Sequence, residues 1–252
     1  MKIEVIGASG APAPGRLPMT LLVDSVLMID AGSVASGLDP ARAGDVKTVL
    51  LSHAHLDHVR ELGFLPFRRD PEKDGLLDIV STPGVLRAVR QAVFNRDFWI
   101  DFEAPAPPRQ PGIRYRDIAP ETPFTASGFR VEAVPLTHAG FETSGFILEK
   151  EGRTAVYALD SGPTGRIWTR AKERETVHAV FYDVSFPDRF AAGLDEHMTP
   201  SGLAREVAKL APHTPRVLAV HLKPEHRAEI LAELDALPFA VETPEAGDMI
   251  TL

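Results

Sequence analysis

The chain has 252 residues and no cysteine, and its 27 basic and 35 acidic side chains give a net charge of −8 at neutral pH. The missing cysteines exclude disulfides, thiol nucleophiles and cysteine-based zinc sites, so a bound metal would need histidine and carboxylate ligands. The acidic balance argues against a protein that grips long nucleic acid through its phosphates. No apolar stretch approaches the roughly 20 residues that cross a bilayer, so we expect no membrane association.

Short apolar runs predict a β-rich first half. Its predicted strands are KIEVIG, TLLV, VLMID, VKTVLL and DIVS. Asp24 and Ser25 separate the second run from the third and predict a tight hairpin turn. Thr82 as N-cap and Pro83 at the first helical position predict an amphipathic helix that extends to Val93. The N-terminus lacks the long apolar region of a signal peptide, so we expect a cytoplasmic protein.

The proline-rich segment at residues 102–112 is predicted to be a surface connection and the seam between two halves. Beyond it, the predicted strands are FRVEAVPLTH, SGFILEK, TAVYALD, HAVFYDVS, RVLAVHL and the edge strand DMITL. Helices are predicted from Pro200 to Leu210 and over EHRAEILAELDAL. Two β-rich halves with helices after the strands indicate a single α/β domain over residues 1–252, folded as a four-layer αββα sandwich.

The segment LSHAHLDHV at residues 51–59 places four candidate metal ligands directly after an apolar run. His53 and His55 are two apart, so they project to the same side of an extended chain. Asp57 and His58 fall where the next segment, HVRELGFL, is predicted to begin a helix. Because adjacent residues point apart, the four cannot surround one ion tetrahedrally, and the loop favours two ions.

Three further candidates each end a later predicted strand, namely His138, Asp160 and His221. Such strand ends can converge on one cleft, and a carboxylate can bridge two ions about 3.5–4 Å apart. A lone histidine at a strand end is more often a hydrogen-bonded structural residue, but the cluster as a whole favours a metal site. The histidines predicted to have no role are His178, His213 and His226.

This pattern resembles the metallo-β-lactamase superfamily, and Asp30 in MIDAG resembles the aspartate of its first motif, which supports the metal loop. The resemblance implies two divalent metal ions and divides the ligands between them. By that resemblance, one ion binds His53, His55 and His138, the other binds Asp57, His58 and His221, and Asp160 bridges them. Mixed nitrogen and oxygen ligands suit Zn²⁺, and Mn²⁺ or Fe²⁺ tolerate the same set.

A narrower resemblance, to bacterial class II cyclic-nucleotide phosphodiesterases, rests on further segments in the same order and spacing. These are SHAHLDH, FLPF, VFNRDFWIDF, DSGPTGRIW, DVSFPDRF, EHMTPSGLAREV and HLKPEHRAEI. The resemblance implies a small phosphodiester substrate, hydrolysis of 3′,5′-cyclic nucleotides to nucleoside 5′-monophosphates, and a homodimer. The chain departs from the family at Leu159, where glycine is frequent, and in the loop THAGFETSGF after the third metal histidine.

The candidate catalytic residues are Asp57, Asp160 and His197. His197, in DEHMTP, resembles a histidine that donates a proton to the leaving oxygen in related enzymes; alternatively, it caps the following helix. Phe98 and Trp99, in FNRDFWIDF, either form a wall for a base or pack in the core. Other activities on the same metals remain alternatives: a lactonase, a thioesterase, a transfer-RNA 3′ endonuclease, or a catalytically silent metal-binding module.

Overall fold

The structure is a computed structural model that describes residues 1–192 and 194–252. Seven strands form the first sheet, in the spatial order β13-β1-β2-β3-β4-β5-β6. They are β1 (Lys2–Gly7), β2 (Thr20–Val23), β3 (Leu27–Ile29), β4 (Thr48–Leu50), β5 (Leu77–Ser81), β6 (Ile113–Asp117) and β13 (Met249–Thr251). Strands β13, β1, β2 and β3 pair antiparallel, whereas β3 to β6 run parallel. In this parallel part, the carboxyl ends of the strands lie along one edge of the sheet, and the loops that follow the strands lie at that edge.

Six strands form the second sheet, in the order β12-β11-β10-β9-β8-β7. They are β7 (Phe124–Ala126), β8 (Phe129–Pro135), β9 (Ser144–Lys150), β10 (Arg153–Ala158), β11 (Ala179–Asp183) and β12 (Arg216–Val220). Strands β7 to β10 pair antiparallel, and β10, β11 and β12 run parallel. Each sheet is therefore mixed, with its parallel part at one side.

Helices cover the outer faces of both sheets. They are α1 (Val34–Gly37), α2 (Leu56–Val59), α3 (Phe64–Phe67), α4 (Pro71–Asp74), α5 (Pro83–Ala92), α6 (Arg166–Ala171), α7 (Pro200–Ala208) and α8 (Arg227–Asp235). Short 3₁₀ helices occupy Pro40–Asp45, Asp188–Phe190 and Pro224–His226. Among the residues described, no helix is long and apolar enough to span a bilayer.

Three buried apolar clusters show why the layers form. Leu21 of β2 packs in the cluster between the two sheets, whereas its neighbour Leu22 packs in the cluster under the helices of the first sheet. Successive strand residues point to opposite faces, so a strand covered on both faces needs apolar residues at every position. A third cluster lies under α6, α7 and α8. The predicted four-layer αββα sandwich is confirmed.

Most predicted elements are present; β1, β2 and β9 have the predicted bounds, and several others are shorter. The turn between β2 and β3 is tight, with positive φ at both Asp24 (47°) and Ser25 (63°) and a hydrogen bond of 3.1 Å from the Val26 N–H to the Val23 carbonyl. Helix α5 begins at Pro83 and buries Leu86 and Val89, as its periodicity predicts. The predicted helix after the metal motif is instead broken into the separate turns α2 and α3.

The prediction that residues 102–112 form the seam between the two halves is wrong, because one more strand of the first sheet, β6, follows this segment. The segment is largely exposed, but it leads into β6, which pairs with β5 in the first sheet. The chain crosses to the second sheet only after Asp117, before β7 begins at Phe124. Strand β6 escaped prediction because it is an edge strand in which Arg114 and Arg116 alternate with apolar residues and pair with Asp78.

Candidate metal centre

The candidate site lies where strands of both sheets end. His53, His138, Asp160 and His221 follow the carboxyl ends of β4, β8, β10 and β12 within three positions, and the loop after His53 carries His55, Asp57 and His58 into α2. Three residues after strands, Asp30, Asp160 and His221, have positive φ values of 56°, 50° and 65°. Residues other than glycine adopt this conformation at an energetic cost, and such residues concentrate at functional sites. Three residues of one small region therefore adopt this costly backbone conformation.

His53, His55 and His138 form the first group, which we call the three-histidine group. One nitrogen of each lies within 4.8 Å of the others. Nε2 of His138 is 3.1 Å from Nδ1 of His55, and Nδ1 of His138 is 3.1 Å from the carbonyl oxygen of Glu196. If His138 donates its Nδ1–H to that carbonyl, its Nε2 lone pair faces the group, as in metal-binding histidines.

Asp57, His58 and His221 form the second group, which we call the Asp57 group. Their ligand atoms also lie within 4.8 Å of one another. Nε2 of His221 is 3.2 Å from Oδ2 of Asp57 and 3.4 Å from Nε2 of His58. His58 and His221 are buried, whereas Asp57 is partly exposed, so this group opens to solvent on the side of the carboxylate.

Asp160 lies between the two groups. Its Oδ2 is 2.9 Å from Nε2 of His58, and its Oδ1 is 3.4 Å from Nε2 of His221. Asp160 also belongs to a cluster with His53 and His58, whose ligand atoms lie within 4.8 Å of one another. A carboxylate that contacts members of both groups occupies the position of a bridging ligand.

The Asp30 carboxylate holds the loop of the metal motif in place by hydrogen bonds. Its carboxylate accepts the backbone N–H of Ser52 at 2.8 Å, the Ser52 hydroxyl and the hydroxyl of Tyr157. Its Oδ2 is also 2.7 Å from Nδ1 of His58. Buried carboxylates need such donors, and here they fix both the loop and the orientation of the His58 ring.

The hydrogen bonding of the site fits a metal. If neutral His58 donates Nδ1–H to Asp30, its Nε2 lone pair faces Asp160 and His221 with no proton between them. Among the described residues, the buried atom His53 Nε2 has no hydrogen-bond partner, and Asp160 Oδ2 has one only if Nε2 of His58 carries a proton. Buried polar atoms without partners are costly. A cation at this point would satisfy all of these acceptors together.

The charges of the side chains in the site also favour a bound cation. Burial raises the pKa of a carboxyl group, but His221 and His58 outweigh burial at Asp160 and hold its pKa well below the ordinary value. Burial disfavours an imidazolium, yet Asp160, Asp183 and Asp57 raise the pKa of His221 to about 9. The carboxylates create a negative potential that favours positive charge here, and a divalent ion can supply it.

Comparison with known proteins agrees with this fold and site. A metallo-beta-lactamase fold protein from Bacillus subtilis superposes with a TM-score of 0.77 at 18% identity, over 99% of this chain and 98% of that one. A family model described as a beta-lactamase superfamily domain matches residues 20–222. The chain belongs to the metallo-β-lactamase superfamily. The matched range includes every ligand candidate from His53 to His221 and supports a metal-dependent hydrolase.

Two curated relatives are distant in sequence. A probable 3′,5′-cyclic-nucleotide phosphodiesterase from Yersinia pestis is 25% identical, over 92% of this chain and 83% of its own length. A ribonuclease Z from Mycobacterium marinum (strain ATCC BAA-535 / M) is 28% identical, over 65% of this chain and 64% of its own length. The predicted resemblance of this superfamily member to cyclic-nucleotide phosphodiesterases is confirmed.

His197 of this metallo-β-lactamase superfamily member lies beside the candidate metal ligands and does not cap a helix. The side chain of Thr199 is the N-cap of α7 and accepts the N–H of Gly202. Nδ1 of His197 is instead 2.7 Å from Oδ2 of Asp183, and its ring stacks on that of His221 with centroids 5.6 Å apart. The capping interpretation of His197 is therefore wrong.

Sequence analysis missed four side chains that support the site in this superfamily member. They are Ser52, Tyr157, Asp183 and Ser185. The hydroxyl of Ser185 donates to Asp183 at 2.6 Å and lies 2.9 Å from Nδ1 of His221. Asp183 did have a signal, because it ends the apolar strand β11 just as Asp160 follows β10. Ser52 and Tyr157 gave none, since their contacts come from distant parts of the chain.

The segment that contains Trp99 and the loop at residues 10–18 lie at different distances from the site. Trp99 packs on Phe64 and Phe67 and donates its indole N–H to the Gly63 carbonyl, so it covers α3. The loop at residues 10–18 does reach the site, because a Cβ on Gly10 would collide with the carbonyl of His221. Glycine at position 10 therefore permits close packing of this loop against a candidate ligand.

Replacing Asp30 with alanine is expected to lower the free energy of unfolding by about 3–5 kcal/mol, the usual cost of breaking a buried ion pair from one side. The buried donors of Ser52, Tyr157 and His58 would lose their acceptor. Urea unfolding at fixed metal concentration measures the change, with Asp117→Ala at an exposed position as control. A loss below about 1 kcal/mol would contradict the supporting role of Asp30.

Proposed function

We propose that this protein hydrolyses 3′,5′-cyclic nucleotides to nucleoside 5′-monophosphates with the help of two divalent metal ions. The observation that carries the proposal is the convergence of two ligand groups on Asp160, with His197 beside them. Seven ligand candidates exceed the number that one tetrahedral ion can use. Two adjacent cations suit the cleavage of a phosphodiester, whose attacking and leaving oxygens both carry negative charge.

The residues that would hold the ions follow from the two groups. The three-histidine group would hold one ion, the Asp57 group the other, and Asp160 would contact both. The histidine nitrogens and carboxylate oxygens suit Zn²⁺, and Mn²⁺ or Fe²⁺ accept the same donors. When bound, such a pair lowers the pKa of water toward about 7 and neutralises phosphate charge.

The remaining chemistry belongs to side chains of the site. Asp57 is partly exposed, so its carboxylate is available to orient the attacking water. His197 has Nδ1 held by Asp183, which leaves Nε2 to give a proton to the ribose 3′ oxygen as its bond to phosphorus breaks. The Asp183 carboxylate also stabilises the imidazolium form that donates this proton.

The substrate class rests on several weaker supports. The relative from Yersinia pestis is named a probable cyclic-nucleotide phosphodiesterase and matches 92% of this chain. The net charge of −8 is compatible with a small anionic substrate, whose charge the metals can neutralise, better than with a long polyanion. A cyclic nucleotide also offers a phosphodiester with a poor leaving group, which calls for the proton donor found at His197.

The main alternative is cleavage of an RNA phosphodiester. It is favoured by the ribonuclease Z relative, which is 28% identical over 65% of this chain. The same acidic net charge speaks against it, because gripping RNA requires a basic surface. A lactonase, a thioesterase and a silent metal-binding module have no comparable observation in their favour.

A panel of substrates tests the proposal directly. Purified protein would be assayed with cyclic AMP, cyclic GMP, a precursor transfer RNA, an acyl-homoserine lactone and an acyl thioester. We expect the highest kcat/KM for a cyclic nucleotide, and chromatography should identify the 5′-monophosphate as product. A 3′-monophosphate product, or faster cleavage of any other substrate class, would contradict the proposal.

The purified protein is expected to contain about two transition-metal ions per chain, because the ligands form two groups around one carboxylate. Elemental analysis after dialysis against metal-free buffer measures the content. His53→Ala should lower it, whereas His226→Ala, whose ring contacts Phe186 and Phe190, should not. Protein that was never exposed to a chelator and still holds no metal would contradict this prediction.

A further inference from the structure

Two large apolar side chains are exposed at the mouth of the candidate site. Leu56 is 73% exposed and Phe141 is 55% exposed. Both adjoin His55, the member of the three-histidine group that is not fully buried. Leu56 follows His55 in the chain, and the Phe141 ring lies with its centroid 4.3 Å from that of His55, at an angle of 74°. An apolar surface therefore borders the charged site.

The backbone fixes Phe141 at this position. Ala139 and Gly140 both have positive φ, 46° and 79°, and the N–H of Phe141 donates to the carbonyl of His138 at 2.7 Å. This conformation is costly for Ala139, and such cost persists only where surrounding contacts impose it. The Glu142 carboxylate anchors the other side of the turn.

That anchor is a contact with the first turn of α5. The Glu142 carboxylate occupies the space that a Cβ on Gly84 would fill, and the amino end of a helix favours negative charge. Thr143 adds a hydrogen bond from its hydroxyl to the carbonyl of Phe141 at 3.3 Å. The exposed ring is therefore held on a braced turn, tied directly to the candidate ligand His138.

We propose that Phe141, aided by Leu56, packs against the base of the nucleotide substrate. The inference rests on the proposed function, because it names the contact that recognises the part of that substrate farthest from the phosphate. A nucleobase is separated from its phosphate by one sugar, so a base can reach a ring that contacts a metal ligand. Aromatic rings stack on any base without sequence preference.

The aromatic run of residues 94–102 fits this role less well. Trp99 is engaged by Phe64 and Phe67, and Phe98, although 72% exposed, makes no aromatic contact with the histidine groups among the described residues. Phe141 contacts the rings of both His55 and His138. The base-binding surface is therefore assigned to the loop after His138.

Binding of two product analogues to the metal-loaded protein tests the assignment without relying on turnover. Calorimetry would compare adenosine 5′-monophosphate with ribose 5-phosphate, which carries the same phosphate and sugar without the base. Phe141→Ala should weaken binding of the nucleotide by about 5- to 150-fold, the equivalent of ~1–3 kcal/mol for base stacking. Binding of ribose 5-phosphate should change by less than about twofold.

Two further variants sharpen the comparison. Phe141→Leu keeps an apolar side chain without the ring, and should lose most of the same affinity. Phe67→Ala removes an equally exposed phenylalanine, 54% exposed on α3, and should bind both compounds as the unmodified protein does. Metal content would be measured for every variant, because a lost metal would weaken both compounds alike.

The outcomes separate this inference from the proposed function. Equal losses for the two compounds, or nucleotide binding in the unmodified protein no tighter than that of ribose 5-phosphate, would overturn the role of Phe141. Full affinity in Phe141→Leu would overturn stacking. Failure to hydrolyse either cyclic AMP or cyclic GMP would instead overturn the proposed function, while selective loss of nucleotide binding in Phe141→Ala would still establish the base contact.

Discussion

Asp160→Ala is expected to lower kcat for cyclic AMP by at least about 10³-fold while the protein stays folded. Asp160 contacts His58 and His221 and joins a cluster with His53, so its removal takes away the carboxylate between the two ligand groups. The residues that would hold two cations would then lack the carboxylate placed to offset the charge of both. Charge stabilisation by a metal is worth several kcal/mol, and each 1.36 kcal/mol is tenfold in rate.

Two companion variants make this result interpretable. Asp160→Asn keeps the volume of the side chain and removes its charge, so it should lose activity nearly as fully as alanine. Asp97→Ala removes an exposed carboxylate outside the site and should leave kcat unchanged. Metal content and circular dichroism would accompany each assay. Near-normal turnover with full metal content in Asp160→Ala would show that Asp160 does not bridge the two groups.

His197→Ala is expected to lower kcat for cyclic AMP by about 10²–10⁴-fold, the usual contribution of general acid catalysis, with metal content unchanged. Its Nδ1 is bound to Asp183 at 2.7 Å, so the ring is held in one orientation next to His221. The loss of kcat in His197→Ala should depend on the leaving group of the substrate. An activated p-nitrophenyl phosphodiester departs without protonation, so its hydrolysis should suffer far less.

The comparison of the two substrates at one pH decides the role of His197. Asp183→Asn should also lose more activity on cyclic AMP than on the activated ester, but by a smaller factor than His197→Ala. This variant only weakens the contact that orients the His197 ring. His226→Ala serves as the histidine control. Equal losses on cyclic AMP and on the activated ester would favour a substrate-positioning role, and loss of metal would make His197 part of the ligand shell.

The sequence alone determined where candidate ligands would lie. Apolar runs that end in histidine or aspartate can be recognised locally, since each strand is buried on both faces and its first polar residue marks the edge of the sheet. His53, His138, Asp160 and His221 were found in this way. The sandwich was also predictable, because the alternation of apolar runs and helices depends on local pattern more than on distant contacts.

Only the tertiary structure decided which side chains meet. Tyr157 reaches Asp30 across 127 residues, and Ser185 reaches His221 across 36, so neither contact has a local signal. The structure excludes the capping interpretation of His197, because Thr199 caps α7 and Asp183 lies 2.7 Å from Nδ1 of His197. Phe141 had no signal, because a phenylalanine in a loop is ordinary until the turn that holds it against His55 is known.

Two departures from the predicted elements, at β6 and after the metal motif, share the same cause. Strand β6 alternates arginine with apolar residues, and it is fixed by pairing with β5 and by the contacts of Arg114 and Arg116 with Asp78. The helix predicted after the metal motif is broken at Glu61, whose backbone N–H donates to the carbonyl of Ala31 at 3.0 Å instead of to a helical carbonyl, while its carboxylate accepts the N–H groups of Ala35 and Ser36. Local pattern specifies which faces are apolar, whereas long-range hydrogen bonds and ion pairs decide where an element stops.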